Sequence, residues 1–141
     1  MPELEGATAW MHGQRMKSEL IGDKATLIHF WSVSCQMCKD TMPAINKMRD
    51  RYNQYLNVVA VHYPRTKKDL DMELIRYNAH KYGITQPIFI DGDLRLADTF
   101  GNQHIPSYYL FDKNGRLRHF QSGRGGMLMF EKRIQRILRE I

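Results

Sequence analysis

Apolar residues recur along the chain with two spacings, and the alternation between them predicts the architecture. Ala25-Thr26-Leu27-Ile28-His29-Phe30-Trp31 is a mostly apolar run of strand length, the pattern of a central strand buried on both faces. Behind it, Cys38, Met42, Ile45 and Tyr52 share one helical face, which predicts a helix over Lys39 to Tyr52. Pro43 lies inside that helix, where it removes the hydrogen bond to the carbonyl of Lys39 and predicts a kink. Asn57 to Tyr63 reads as a second buried strand ending at Pro64. The basic loop Arg65-Thr66-Lys67-Lys68 then leads into a helical stretch from Asp69 to Tyr82, terminated by Gly83. Pro87 to Ile90 predicts a short strand, and Asp93 to Phe100 a short helix closed by Gly101. Ser107 to Phe111 and Leu117 to Gln121 flank Asp112-Lys113-Asn114-Gly115, where Asn-Gly suits a tight hairpin turn with positive φ. After Gly123 to Gly126, the residues Met127, Phe130, Ile134, Leu138 and Ile141 line one face of a last helix that should cover the sheet. At the front, Pro2 to Gly13 predicts a strand or turn across the sheet edge, and Arg15 to Leu20 a short helix ended by Gly22. Strand, helix, strand, helix is an α/β alternation.

Length and charge narrow the picture. With 141 residues and no internal repeat or linker, residues 1–141 are expected to form a single domain able to bury a core without staples. The formal net charge of +6 favours acidic partners. No nucleic-acid motif accompanies it, so it reads as a solvated surface and no specific nucleic acid is expected. No segment approaches the roughly 18 apolar residues of a membrane span, and Met1 to Gly6 lacks the features of a signal peptide. The expected compartment is the cytoplasm, with no membrane partner.

The candidate chemistry lies in Ser34-Cys35-Gln36-Met37-Cys38, which holds both cysteines between the first buried strand and its helix. With Ser34 as the expected N-cap, the cysteines occupy neighbouring positions of a helix's first turn, close enough for a disulfide. Unpaired N–H groups at a helix N-terminus stabilise a thiolate, so Cys35 should titrate below the free value of about 8.5 and attack disulfides near neutral pH. Cys38, one turn deeper and better shielded, suits the resolving role.

Phe30-Trp31-Ser32-Val33-Ser34-Cys35-Gln36-Met37-Cys38, Pro43 beyond the second cysteine, and Ile105-Pro106 before a hairpin together resemble the thioredoxin family. Within it the chain looks most like the TlpA and ResA type, which carries an extra strand-helix insertion, here about Tyr63 to Asp91. Leu27 to Ser32, Asn57 to His62 and Leu117 to Gln121 look closest to YkuV-type cytoplasmic thiol-disulfide oxidoreductases. The resemblance implies a thioredoxin-like α/β fold with a central mixed sheet flanked by helices, a dithiol that cycles with a disulfide, and no bound cofactor or metal. It implies Cys35 as attacking thiol, Cys38 as resolving thiol, and a substrate-binding surface around Trp31, Ile105 and Pro106. It also implies a cis Pro106 facing the dithiol, where sequence chemistry alone favours trans. The backbone of Ile105 would then pair with an extended substrate segment. Expected partners are disulfide-containing proteins and an electron donor such as a thioredoxin-type reductase system.

Departures from the family pattern matter as well. Many thioredoxins carry a buried acid at the position of His29, where it helps deprotonate the resolving cysteine. A neutral His29 could do that work as a base, or be a core histidine satisfied by a backbone carbonyl. ResA-like members carry a glutamate three residues after the second cysteine, whereas this chain has Thr41, and the tryptophan that often precedes the first cysteine is Ser34. His104, two residues before Pro106, reads as a solvent-facing loop residue. The nine methionines read as core filler, and Gly123 to Gly126 as a helix entry and not a phosphate loop. The leading function is an enzyme that reduces or exchanges protein disulfides. The alternatives are a metal-handling protein in which the thiolates, with His104 or His62, bind Cu(I) or Zn(II), and a redox-inert binding module. Structural zinc usually needs four protein ligands, and this chain has one cysteine pair.

Overall fold

The computed structural model describes residues 1–141. In chain order the elements are β1 (Ala9–Met11), α1 (Lys17–Leu20), β2 (Ala25–Trp31), α2 (Gln36–Arg51), β3 (Leu56–His62), a 3-10 turn (Lys67–Leu70), α3 (Met72–Lys81), β4 (Ile88–Ile90), α4 (Arg95–Phe100), β5 (Ser107–Phe111), β6 (Leu117–Ser122) and α5 (Met127–Leu138). The strands form one sheet in the order β1-β4-β3-β2-β5-β6. β2 and β4 run parallel to β3, while β1, β5 and β6 pair antiparallel with their neighbours, so the sheet is mixed. β2 lies at its centre and every one of its residues is buried, as an apolar run with few polar interruptions requires.

The pleat sends Phe30 to one side and His29 and Trp31 to the other. Phe30 meets Phe100 of α4 edge to face, with centroids 5.4 Å apart. Tyr108, the β5 partner of His29, meets Phe130 of α5 at 5.4 Å and places its hydroxyl 2.6 Å from Thr41 Oγ1 of α2. Accordingly α4 covers one face of the sheet, and α2 and α5 cover the other. The expected insertion is present as the 3-10 turn, α3 and β4, and the N-terminal segment does supply the edge strand β1. No helix is long and apolar enough to cross a membrane.

Several boundaries differ from the expectation for identifiable reasons. α2 starts at Gln36, earlier than the periodicity suggests, and its N-cap is Cys35 and not Ser34. It runs as one helix through the exposed Pro43, losing the single hydrogen bond that proline cannot make. The stretch expected as one helix from Asp69 divides, because Asp71 caps α3 by accepting from Glu73 N and Leu74 N. In the β5–β6 connection positive φ falls at Gly115, and the Asp112 carboxylate holds Asn114 N and Arg116 N at 3.0 Å each. α5 ends at Leu138, so Ile137 reaches the core while Ile141 stays exposed.

Candidate active site

β2 delivers the chain into the turn Ser32–Ser34, and α2 begins immediately after Cys35. Cys35 donates its N–H to Ser32 O (3.1 Å), and its Sγ accepts the Cys38 N–H at 3.1 Å. The two cysteines are joined in a disulfide with Cα atoms 5.3 Å apart, within the ordinary range. Cys35 and Cys38 are 3% and 1% exposed, so in this oxidised form both sulfurs are shielded, not Cys38 alone. The cap bond to Cys35 Sγ has direct chemical meaning. A backbone N–H aimed at a sulfur at the positive end of a helix is an arrangement that stabilises negative charge on that sulfur.

The turn before the dithiol is held by a carboxylate. Asp69, 2% exposed, accepts at Oδ2 from Ser34 Oγ (2.8 Å), Arg65 N (2.9 Å), Ser32 Oγ (3.1 Å) and Thr66 N (3.3 Å). Burial pushes its carboxyl upward, but the hydrogen bonds from Arg65, Ser34, Ser32 and Thr66 outweigh that and leave it below the usual carboxylate range. Arg65 adds two bonds to the same turn, from Nε to Ser34 Oγ (3.2 Å) and from a terminal nitrogen to Ser34 O (2.5 Å). His62 Nε2 accepts the Val33 N–H at 3.3 Å. Sequence reasoning missed Asp69, which it read as the first residue of a helix. The signal present was an acid three residues after Thr66, the spacing of a capping box.

Ile105-Pro106 is a cis peptide, as the family resemblance implied; both residues are buried, and Ile105 belongs to the same apolar cluster as Cys35 and Cys38. Pro106 O accepts from Gly123 N (2.9 Å), and His104 O accepts from Ser107 Oγ (2.6 Å) and Asn102 Nδ2 (3.0 Å). The backbone N–H and C=O of Ile105 take no part in the hydrogen bonds outside the helices and strands. Trp31 is 1% exposed, packs edge-on to His62 at 5.1 Å and has no partner for its indole Nε1. So buried, it does not form part of an outer surface. The side chain of His104 is exposed.

His29 is 1% exposed and is satisfied by a side chain and not by a carbonyl: Gln86 Nε2 lies 2.9 Å from its Nε2. Arg49 donates to Gln86 Oε1 (2.7 Å), which fixes the amide orientation. Gln86 must therefore donate to His29, whose remaining proton is on Nδ1. Burial first, and the Arg49 charge second, lower the His29 pKa to about 3. The expected acceptor of the Cys38 proton thus has its only lone pair engaged and little affinity for a proton. For His62 burial dominates and lowers the pKa to about 4, opposed by Asp69. No group of three or more His, Cys, Asp or Glu side chains could hold a metal ion, and His62 has committed Nε2 to Val33. The metal-handling alternative therefore finds no support.

A disulfide capping the head of the helix that follows a central strand, in a chain with a cis X-Pro bond at Ile105-Pro106, defines the class. The chain belongs to the AhpC/TSA family, whose model matches residues 1–120, and has the thioredoxin-like fold. More particularly, it is 55% identical over 140 residues to thiol-disulfide oxidoreductase YkuV of Bacillus subtilis, covering 99% of this chain and 95% of that protein. Thiol-disulfide oxidoreductase ResA of Geobacillus thermodenitrificans is 30% identical over 101 residues, 71% of this chain and 55% of ResA. A solution structure of a thioredoxin-like protein in the oxidised form superposes with a TM-score of 0.92 at 55% identity, covering 99% of this chain and 95% of that one.

Proposed function

We propose that residues 1–141 act as one domain, a thiol-disulfide oxidoreductase that reduces or exchanges protein disulfides. The carrying observation is the Cys35–Cys38 disulfide at the N-terminus of α2, with the Cys38 N–H aimed at Cys35 Sγ. In the reduced form the Cys35 thiolate attacks one sulfur of a substrate disulfide. A bond forms between Cys35 and that sulfur, and the other sulfur leaves as a thiolate. The Cys38 thiolate then attacks Cys35 Sγ, the mixed disulfide breaks, and the second substrate thiolate departs. Two electrons have passed from the dithiol to the substrate, and a thiol donor, such as a thioredoxin-type reductase system in the cytoplasm, restores the dithiol. The free backbone groups of Ile105 supply the strand-like edge on which an extended substrate docks beside Pro106. Trp31 supports that platform as a positioning residue. Equilibration with a glutathione or dithiothreitol series, followed by insulin reduction, tests the reading. A two-electron transition with turnover supports it, and a dithiol that reduces no insulin overturns it.

In this scheme His29 stays neutral throughout, because a proton moved from Cys38 to a group with a pKa of about 3 would travel far uphill. His29→Gln is therefore expected to change the ratio of mixed-disulfide formation to decay by less than about threefold. Decay slowed tenfold or more, with recovery at high pH, would reinstate His29 as the base.

A further inference from the structure

Beside the dithiol one cation is fixed in place without an ionic partner. The Arg65 guanidinium is pinned by its two bonds to Ser34, the residue preceding Cys35. The ion pairs of the chain involve Arg49, Arg51, Arg76, Arg118 and Arg124, and none involves Arg65. Arg124 is already paired with Asp40 at 3.3 Å. Asp69 does face the Arg65 loop, but it is buried and its Oδ2 is saturated by hydrogen bonds. A guanidinium carries five N–H groups, so those of Arg65 not directed at Ser34 remain open to solvent. Immobilisation matters, because a long side chain already held in one conformation loses little entropy when a ligand binds.

The same residue borders a shallow cleft of about 220 Å³ lined by Pro64, Arg65, Thr66, Lys67, Leu70 and Leu94. The cleft contains two cations, two leucines and no acid, and Leu70 is 48% exposed. The geometry points to this cleft as the specificity subsite for the segment that carries the target disulfide. Arg65 and Lys67 receive a carboxylate side chain, and Leu70 and Leu94 receive an apolar neighbour. An extended chain advances about 3.3 Å per residue, so an acid held at Arg65 lies within a few residues of the cysteine attacked by Cys35. The favoured substrate is a protein disulfide with acidic flanking residues, in keeping with the net charge of +6. The inference rests on the oxidoreductase reading above.

The test uses the reduced full chain at low ionic strength and disulfide-linked peptides with glutamate, glutamine or lysine two residues to either side of the cysteine. The expected order of kcat/KM is glutamate above glutamine above lysine, with about fivefold between the first two. The preference should shrink toward unity near 1 M salt, where exposed charges are screened. In the Arg65→Glu, Lys67→Glu protein the order should reverse, a ratio that does not depend on the folded fraction. Lys67→Glu alone should reduce the glutamate preference. Equal rates for all peptides with the unaltered chain, or a glutamate preference that survives both substitutions, overturn the subsite and leave the oxidoreductase reading standing. Failure to reduce any peptide removes both.

Discussion

Cys38→Ser protein mixed in its reduced form with insulin will accumulate as a mixed disulfide through Cys35, while Cys35→Ser protein will form no adduct. Turnover in both will fall by about a thousandfold or more, because each step of the exchange has only one sulfur to perform it. Serine at position 38 keeps the group that activates the attacking thiol. The hydrogen bond into Cys35 Sγ comes from the backbone N–H of residue 38, not from its side chain. Attack therefore survives and resolution does not. Intact mass measured under non-reducing conditions reads the adduct directly. A folded Cys38→Ser protein that yields no adduct, and whose Cys35 also ignores iodoacetamide, would overturn the assignment of attacking and resolving thiols.

Asp69→Ala is expected to lower stability by about 2 to 4 kcal/mol, the largest effect foreseen for a residue outside the dithiol. The lost carboxylate leaves the Ser32 and Ser34 hydroxyls and the N–H groups of Arg65 and Thr66 without their acceptor. Urea midpoints at pH 7 measure it, and a change within about 0.5 kcal/mol would show that water replaces the carboxylate. The same residue shapes the response to acid. Its folded pKa is depressed, so its contribution is complete above the unfolded value of about 3.9 and disappears as pH falls through the folded one. The buried histidines act earlier and in the same direction. Their folded pKa values are lowered to about 3 for His29 and about 4 for His62, so the unfolded chain takes up protons that the folded one refuses. Stability should then fall as pH drops from about 6.5 toward 4, by up to about 1.4 kcal/mol per pH unit for each histidine. A urea midpoint that stays flat between pH 7 and 5 would contradict this account of their burial.

The parts of the molecule that the sequence foretold are those governed by local patterns. Ala25–Trp31 and Ser107–Phe111 were recovered to the residue, because runs this apolar fit the centre of a sheet and little else. The Cys35–Cys38 pair followed from two cysteines three apart at a strand-to-helix junction, and the cis bond at Ile105-Pro106 from the resemblance to a family. What escaped depends on contacts between distant segments. Ser34 has the better intrinsic preference for an N-cap, yet its hydroxyl is drawn to Asp69, 35 residues away, and the cap passes to Cys35. The engagement of His29 needs Gln86 from the approach to β4 and Arg49 from the end of α2. Neither could be assigned without knowing how α2 lies across the sheet. In the last helix, stepping onward from Ile134 led to Leu138 and Ile141, whereas termination at Leu138 leaves Ile137 to fill the core.

The central place of β2 has one more consequence, for solvent deuterium. β2 is paired along its whole length with β3 and from Thr26 to Phe30 with β5, so its amides can exchange only when the sheet itself opens. The turn Ser32–Ser34 and the Arg65–Asp69 loop hang largely on side-chain bonds, which can open without disturbing the strands. Oxidation and reduction thus occur at the tip of a strand paired on both sides, and exchange rates that follow the redox state should change in those loops while Ala25–Trp31 keeps its protection.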